Sequence, residues 1–188
     1  MANTQNPKNF TGHVSHVLIA DQPQSFITRP VPQIELAFGG IPGDRHFGLT
    51  KPAGSREPWY PRGTTIANRR QISLISQNEL QLIAEALGIP ECLPAWVGAN
   101  IVLHDVENCT TLPAGTRIIW PSGAGIAIEG KNRPCRHPGA VIAKAVNRPE
   151  LASQFVQASY GRRGLIGIVE NPGLAQAGQE VTIALPKD

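Results

Sequence analysis

Cys135 is the residue of this chain whose neighbours are best suited to chemistry. It lies in the stretch EGKNRPCRHPG at 129–139, with Arg133, Arg136 and His137 within two positions of it. A cysteine attacks electrophiles or ligates a metal as its thiolate, and adjacent cations stabilise that form. A helix predicted just after it would add the positive end of its dipole. The alternative is a small buried residue in a turn, with the arginines facing water, and the local sequence leaves both open.

A second candidate is the turn GIPGDRHFG at 40–48. Its glycines and proline predict a tight backbone that presents Asp44, Arg45 and His46 at one point. Such a turn can offer backbone N–H groups and a guanidinium fork to an anion. The alternative is structural, with Asp44 capping the turn and Arg45 pairing with it.

Two further positions carry polar side chains next to predicted strands. Arg69 and Arg70 lead into one strand, where they would point to opposite faces, so that at most one lines a cleft. Which of the two does so stays open. Asn100 follows Gly98 in WVGANIVLHD, where its amide could bind a heterocycle or cap the start of a strand.

The remaining candidate residues indicate little chemistry. Cys92 and Cys109 have no cationic neighbours, and three cysteines without a C-x-x-C pair support neither a disulfide framework nor a zinc site. His13 and His16 are expected on opposite faces of a strand, which makes a poor metal pair. Phosphate-loop, dinucleotide, nucleophile-elbow and H-E-x-x-H motifs are absent from the sequence.

Composition limits the class of protein. The chain has 188 residues, 41% hydrophobic side chains and a net charge of +3, which is too small to indicate nucleic acid binding. Neither a signal peptide nor a membrane-spanning stretch is apparent. We therefore expect a soluble cytoplasmic protein with no nucleic acid or membrane partner.

The 19 glycines and 17 prolines favour short strands and turns, and predict a mostly β (α+β) fold. Residues 1–11 are expected to be a flexible lead-in to a single domain at 12–188. The best-marked helix starts at Ser76, which forms a capping box with Glu79, and stops at Gly88. A second helix is predicted at 140–146, with its start at Pro138–Gly139. A third is predicted after Asn147, which would cap it. A loop is predicted at 50–64. The predicted strands are 12–20, 33–38, 69–76, 100–104, 116–120, 125–129, 165–170 and 180–185.

Taken in order, the sequence blocks resemble the MOSC domain family, named for the C-terminal domain of molybdenum cofactor sulfurase. The resemblance runs from about Gly12 to Leu185 and is carried by GIPGDRHFG, RRQISLIS, VGANIVL, LPAGTRIIW, NRPC and RRGLIGIVENPGLAQAGQEVTI. It implies a closed, barrel-like β-sheet with two or three peripheral helices, in a stand-alone bacterial-type member.

The resemblance also implies a site. Cys135 would carry a persulfide or ligate molybdenum. The anionic molybdenum cofactor, molybdopterin, would be bound by Asp44, Arg45, His46, Arg69, Arg70, Asn100, Arg133 and Arg136. No pyridoxal phosphate site is expected, so a sulfur donor would be a separate cysteine desulfurase.

Three functions follow from the resemblance. The first is a sulfur carrier or sulfurtransferase that binds the cofactor. The second is a molybdenum-dependent oxidoreductase of N-hydroxylated compounds, which would need a partner reductase because no flavin, haem or iron–sulfur motif is present. The third is a non-catalytic cofactor carrier.

Overall fold

Twelve strands and three α-helices are formed by residues 9–187, the part of the chain that the computed structural model describes. The strands are β1 (Asn9–Ile19), β2 (Arg29–Val31), β3 (Gln33–Leu36), β4 (Thr50–Pro52), β5 (Thr65–Ala67), β6 (Ile72–Ser76), β7 (Ile101–His104), β8 (Arg117–Ile119), β9 (Gly125–Lys131), β10 (Leu165–Asn171), β11 (Gly173–Gln176) and β12 (Glu180–Ala184). The helices are α1 (Gln77–Leu87), α2 (Arg136–Ala145) and α3 (Leu151–Ala158). Most of the predicted lead-in lies outside the described residues, and β1 begins at Asn9, three positions before the strand start predicted at Gly12.

The main sheet closes on itself. Its strands follow the order β12-β8-β9-β10-β6-β7-β1, and β12 pairs back onto β1, so that seven strands form a barrel within the described range. β2 is added outside the ring on β1. The pair β6–β7 is parallel and the other ring pairs are antiparallel. The predicted closed, mostly β fold is confirmed.

Apolar side chains fill two layers. One lies inside the barrel and includes Val14, Leu74, Trp120 and Ile126. The other lies between the barrel and the helices and includes Ile83, Ile142 and Phe155. Because strand side chains alternate, one set of residues can pack inward while its neighbours face the helices. This second layer holds α2 against the barrel, and α2 follows Cys135 directly.

Helix α1 forms as its sequence predicts. The Ser76 side chain accepts from the Glu79 amide and the Glu79 side chain accepts from the Ser76 amide, which is the capping box. Gly88 ends the helix at φ 62 and ψ 42, a left-handed conformation that glycine adopts without a steric penalty.

Two helix starts differ from expectation. α2 begins at Arg136, two residues before Pro138, because a proline in the first turn removes no intrahelical hydrogen bond. α3 is preceded by Glu150 and not capped by Asn147. Asn147 has φ 52 and follows the end of α2, where the Arg148 amide donates to the Ala143 carbonyl. That pattern terminates a helix instead of starting one.

Three strand expectations are corrected as well. β6 begins at Ile72, so Arg69 and Arg70 lie in an extended segment before the strand. The segment predicted as a loop at 50–64 begins with a strand, because β4 at its start pairs with β5 directly after it. A register shift between Val14 and His16 lets both His13 and His16 face outward, so their expected opposite orientation is wrong.

No set of three histidine, cysteine or acidic side chains within residues 9–187 could hold a metal ion. Over the same residues, no helix is long and apolar enough to cross a bilayer.

Gly164 is the tightest backbone contact in the fold. It has φ 78, and a Cβ there would lie 2.1 Å from the Leu74 carbonyl oxygen. Gly164→Ala should therefore reduce the free energy of unfolding by about 3 kcal/mol or more, since both strain and a backbone clash act together. Urea denaturation measures it. Gly178→Ala, at φ 82 with no heavy atom within 4 Å of the added Cβ, serves as the control that carries strain alone. Equal losses in the two variants would contradict the expectation.

Candidate functional site

Two adjoining clefts meet at Cys135. We call the first the inner cleft; it has a volume of about 540 Å³, and its wall includes Arg45, Arg56, Arg70, Asn100, Cys135 and Arg163. The second, the outer cleft, has a volume of about 910 Å³, and its wall includes Arg56, Trp59, Arg69, Arg70, Arg133 and Cys135. Because Arg56, Arg70 and Cys135 line both clefts, the thiol lies on their common wall.

The cysteine is placed by the start of α2. Cys135 is the residue preceding the first turn, with extended φ −145 and ψ 170, and no side chain caps the helix. The first amides of a helix lack intrahelical acceptors and carry partial positive charge. His137 Nδ1 lies 3.7 Å from the Cys135 Sγ. The sulfur is thus half-buried and surrounded by groups that favour a negative charge.

Two arginines near the thiol are withdrawn from solvent: Arg163 is buried and Arg70 is half-buried. Burial lowers the pKa of Arg70 to about 10, an effect that the nearby Arg56 reinforces. Burial likewise lowers the pKa of Arg163 to about 10, and the proximity of Cys135 opposes that shift. Both guanidinium groups remain charged at neutral pH, since their pKa values lie well above 7.

The clefts differ in their carboxylates. In the outer cleft, Glu57 pairs with Lys51 at 2.7 Å and Glu129 pairs with Arg69. Among the described residues, no aspartate or glutamate lines the inner cleft. No carboxylate on that wall offsets its arginines, although Glu57 of the outer cleft acts on Arg70, and this charge distribution favours an anion in the inner cleft.

Asp44 organises the GDRH turn from behind the inner cleft. Its side chain is fully buried and accepts hydrogen bonds from the amides of Ala20 and His46 at 2.8 Å, from His46 Nδ1 at 2.9 Å, and from Asn100 Nδ2 at 3.0 Å. Burial acts to raise the pKa of Asp44, but the hydrogen bonds from His46 and Ala20 outweigh it and lower that pKa. The carboxylate thus positions Arg45 and His46 on the cleft wall and does not itself face it.

Asn100 is likewise held by the protein. Its Oδ1 accepts from the Ser73 amide at 3.0 Å, and its Nδ2 donates to the Leu18 carbonyl and to Asp44. Both amide hydrogens are therefore used, although the residue contributes to the wall of the inner cleft. Gly98 beside it has φ 63, and a Cβ there would lie 2.8 Å from the Phe26 carbonyl oxygen, which explains the glycine.

The other predicted arginines occupy distinct places. Arg70 lies on the wall shared by both clefts and donates to Asn132 Oδ1 at 3.0 Å. Arg69 is largely exposed and lines the outer cleft, as does Arg133. Arg136 lies apart, in a surface depression beside Tyr160 and Arg162. Of the two residues of the doublet, Arg70 is therefore the one that reaches both clefts.

Sequence reasoning did not single out Arg56 or Arg163. Arg56 lies in the 50–64 segment and donates to the Arg133 carbonyl at 3.2 Å, which ties that segment to the stretch before Cys135. Arg163 lies in the doublet Arg162-Arg163 before β10. A basic doublet before a strand was the signal used for Arg69-Arg70, and applied again it would have pointed to Arg163.

The two other cysteines are buried and line neither cleft, although Cys92 lies near Arg163. Burial raises the pKa of the Cys92 thiol to about 12. Burial also raises the pKa of the Cys109 thiol well above its usual value, and nearby Glu79 adds to the effect. Both remain protonated at neutral pH, in agreement with the structural role expected of them.

The family model of the MOSC domain matches residues 43–182, and the chain belongs to the MOSC domain family.

Individual relatives extend this result. YuaD of Bacillus subtilis (strain 168), whose name assigns it provisionally to metal-sulfur cluster biosynthesis, is 46% identical over 177 residues, which are 94% of this chain and 92% of that protein. A crystal structure of YuaD superposes with a TM-score of 0.94 at 45% identity and covers 96% of this chain and 100% of that chain. YiiM from Escherichia coli, at 15% identity and a TM-score of 0.60, covers 95% of this chain and 72% of that chain and shares the fold.

Proposed function

We propose that this protein binds the molybdenum cofactor in the clefts around Cys135 and carries activated sulfur on that cysteine as a persulfide. The observation that carries the proposal is the position of the thiol, on the wall common to both clefts and near the half-buried Arg70 and the buried Arg163. A sulfur carrier needs a nucleophilic sulfur that a donor and an acceptor can both reach. The name of the YuaD relative, with its reference to metal-sulfur clusters, is in keeping with this chemistry.

The donor set fits the cofactor. Molybdopterin is anionic through its phosphate, and the inner cleft presents Arg45, Arg56, Arg70 and Arg163 without a carboxylate on its described wall. Thiolate sulfur is a soft ligand that suits the molybdenum of this cofactor. Cys135 would ligate molybdenum, and the arginines would bind the anionic end. When bound, the cofactor would supply a metal centre that holds sulfur or oxygen ligands.

The chain's own residues can take up sulfur in one step. The Cys135 thiolate would attack the outer sulfur of a persulfide on a donor cysteine desulfurase. The donor sulfur–sulfur bond would break, its electron pair leaving with the donor thiolate, while a new bond forms at Cys135. His137 Nδ1, at 3.7 Å, can hold the proton that the thiol loses. Arg70 and Arg163 would stabilise the resulting persulfide anion.

Sulfur loading tests the first half of the proposal. The wild type, Cys135→Ser and Cys92→Ala would each be incubated with a cysteine desulfurase and L-cysteine, and their intact masses measured. We expect one added sulfur atom on the wild type and on Cys92→Ala, and none on Cys135→Ser, because only the Cys135 thiol opens onto a cleft. An adduct on Cys135→Ser would contradict the role of this cysteine.

The same samples, purified from a host that makes the cofactor, test the second half by metal and pterin analysis. Molybdenum and pterin in the wild type but not in Cys135→Ser are expected. Retention in both would remove the ligand role of the cysteine and leave cofactor binding. Their absence from the wild type would contradict cofactor binding.

A further inference from the structure

Arg163 has an unused hydrogen-bond donor in the interior of the protein. The residue is only 6% exposed. Its Nη2 donates to the Val97 carbonyl, whereas its buried Nη1 has no hydrogen-bond partner. No carboxylate forms an ion pair with it among residues 9–187. An unpaired buried guanidinium is costly, so a protein that retains one has a use for the free donor.

The backbone holds this side chain in place. The amide of the next residue, Gly164, donates to Thr110 Oγ1 at 2.7 Å, and the Gly164 carbonyl accepts from the Asn132 amide at 2.9 Å. Gly164 itself is confined by the Leu74 carbonyl. These contacts fix the backbone next to Arg163, and the hydrogen bond to the Val97 carbonyl holds its guanidinium group at the wall of the inner cleft.

A second source of donors lies on the same cleft. α2 has ten residues, carries no side-chain cap, and starts beside Cys135 with His137 and Pro138 on the wall of the inner cleft. Its uncapped first turn attracts anions. Arg70 adds a third cationic group. Arg70, Arg163, Cys135 and the start of α2 thus line one space.

We propose that the inner cleft holds a tetrahedral oxyanion, a sulfonate or a phosphoryl group, bound by Arg163 next to the sulfur of Cys135. Such a group has several oxygens, so one can accept from the free Nη1 of Arg163 while others accept from the first turn of α2 and from Arg70. The cleft volume of about 540 Å³ leaves room for the rest of a larger molecule.

A sulfonate in this position would make the inner cleft a sulfur-loading site. This step rests on the proposed function, since it uses the Cys135 persulfide. In thiosulfate a sulfane sulfur is bonded to a sulfonate. The Cys135 thiolate would attack the sulfane sulfur, forming the Cys135 persulfide, and the sulfur–sulfur bond of thiosulfate would break. Its electron pair leaves with sulfite, whose developing charge Arg163 would stabilise, so no oxidant or reductant is needed.

Anion binding tests the subsite. Sulfate and phosphate, each titrated against chloride at constant ionic strength, should raise the Tm of the wild type. Arg163→Gln should lower the affinity for both at least about tenfold, because it removes a charged donor. Arg136→Gln is the control, since Arg136 is also an arginine near Cys135, in the first turn of α2, but it lines a separate surface depression and not the inner cleft. Lack of any shift in the wild type, or an unchanged shift in Arg163→Gln, would overturn the proposal.

A measurement on the wild type alone guards against misfolding of the variant. Sulfate should slow alkylation of Cys135 by iodoacetamide at constant ionic strength, because it occupies the space beside the thiol. Alkylation that is insensitive to both sulfate and phosphate would contradict the subsite.

Thiosulfate then identifies the natural oxyanion. One sulfur added to Cys135, with one sulfite released, would assign the subsite to a sulfonate donor. Competitive binding of thiosulfate without transfer would support the oxyanion subsite and overturn its role in sulfur loading. Loading by a desulfurase but not by thiosulfate leaves the proposed function standing, so the two ideas fail separately.

Discussion

Iodoacetamide will alkylate Cys135 in the folded protein at least about a hundredfold faster than it alkylates Cys92 or Cys109. Cys135 is half-buried on a cleft wall, whereas the other two are buried in the protein interior. Burial raises the pKa of the Cys92 thiol to about 12. At pH 8 its reactive thiolate is therefore about one part in ten thousand.

Peptide mapping of a time course at pH 8 gives the three rates. In urea, where burial is lost, all three cysteines should react at similar rates, which provides the internal control. A folded protein in which Cys135 reacts no faster than Cys92 would remove the basis for chemistry at this residue.

Asp44→Asn should reduce the free energy of unfolding at pH 7 by about 3 kcal/mol. The Asp44 carboxylate faces only donors, namely the amides of Ala20 and His46, the His46 ring nitrogen and the Asn100 amide. An asparagine would turn an N–H group toward one of these donors and leave it unsatisfied. Because the same bonds hold the GDRH turn, the variant should also bind oxyanions more weakly.

This loss should depend on pH in a defined direction. The pKa of Asp44 is lower in the folded protein than its usual value near 3.8. Its contribution to stability is therefore fully present above about pH 4 and is lost as the pH falls through the folded value. The difference between wild type and Asp44→Asn should shrink in acid.

Urea denaturation of both proteins at pH 7 and at about pH 3 measures that difference. Asp105→Asn is the control, because Asp105 is exposed and has φ 59, which asparagine also tolerates. A gap of less than about 1 kcal/mol at pH 7, or one that widens in acid, would contradict the role given to Asp44.

The sequence predicts secondary structure correctly where adjacent residues determine it. The capping box of Ser76 and Glu79 and the stop at Gly88 define α1 because a few adjacent residues determine those hydrogen bonds. The start of α3 was not predictable in that way. Asn147 is a residue type that often caps the start of a helix. In the structure it lies instead in the C-terminal turn of α2, which the Arg148–Ala143 hydrogen bond closes, and the local sequence does not distinguish these two positions.

The site divides along the same line. Cys135, Arg45 and Arg70 stand out because of their immediate neighbours. The doublet Arg162-Arg163 marks Arg163 as a candidate in the same way, but the burial of Arg163 depends on the barrel closing around it, which no local pattern predicts. Conversely, Asp44 and Asn100 have the right chemistry for a ligand, yet contacts from distant parts of the chain engage their polar atoms. Long-range contacts of this kind leave no local pattern.

The location of Cys135 on the common wall of the inner and outer clefts has a consequence for the order in which a donor and an acceptor can bind. A thiol at the end of a single closed cleft can meet a second molecule only after the first has dissociated, unless the side chain or its segment moves. Here a sulfur donor could bind in one of the two clefts while an acceptor is bound in the other. The sulfur would then pass from one cleft to the other through Cys135. Such a transfer would need no conformational change, only a side chain that molecules in both clefts can contact.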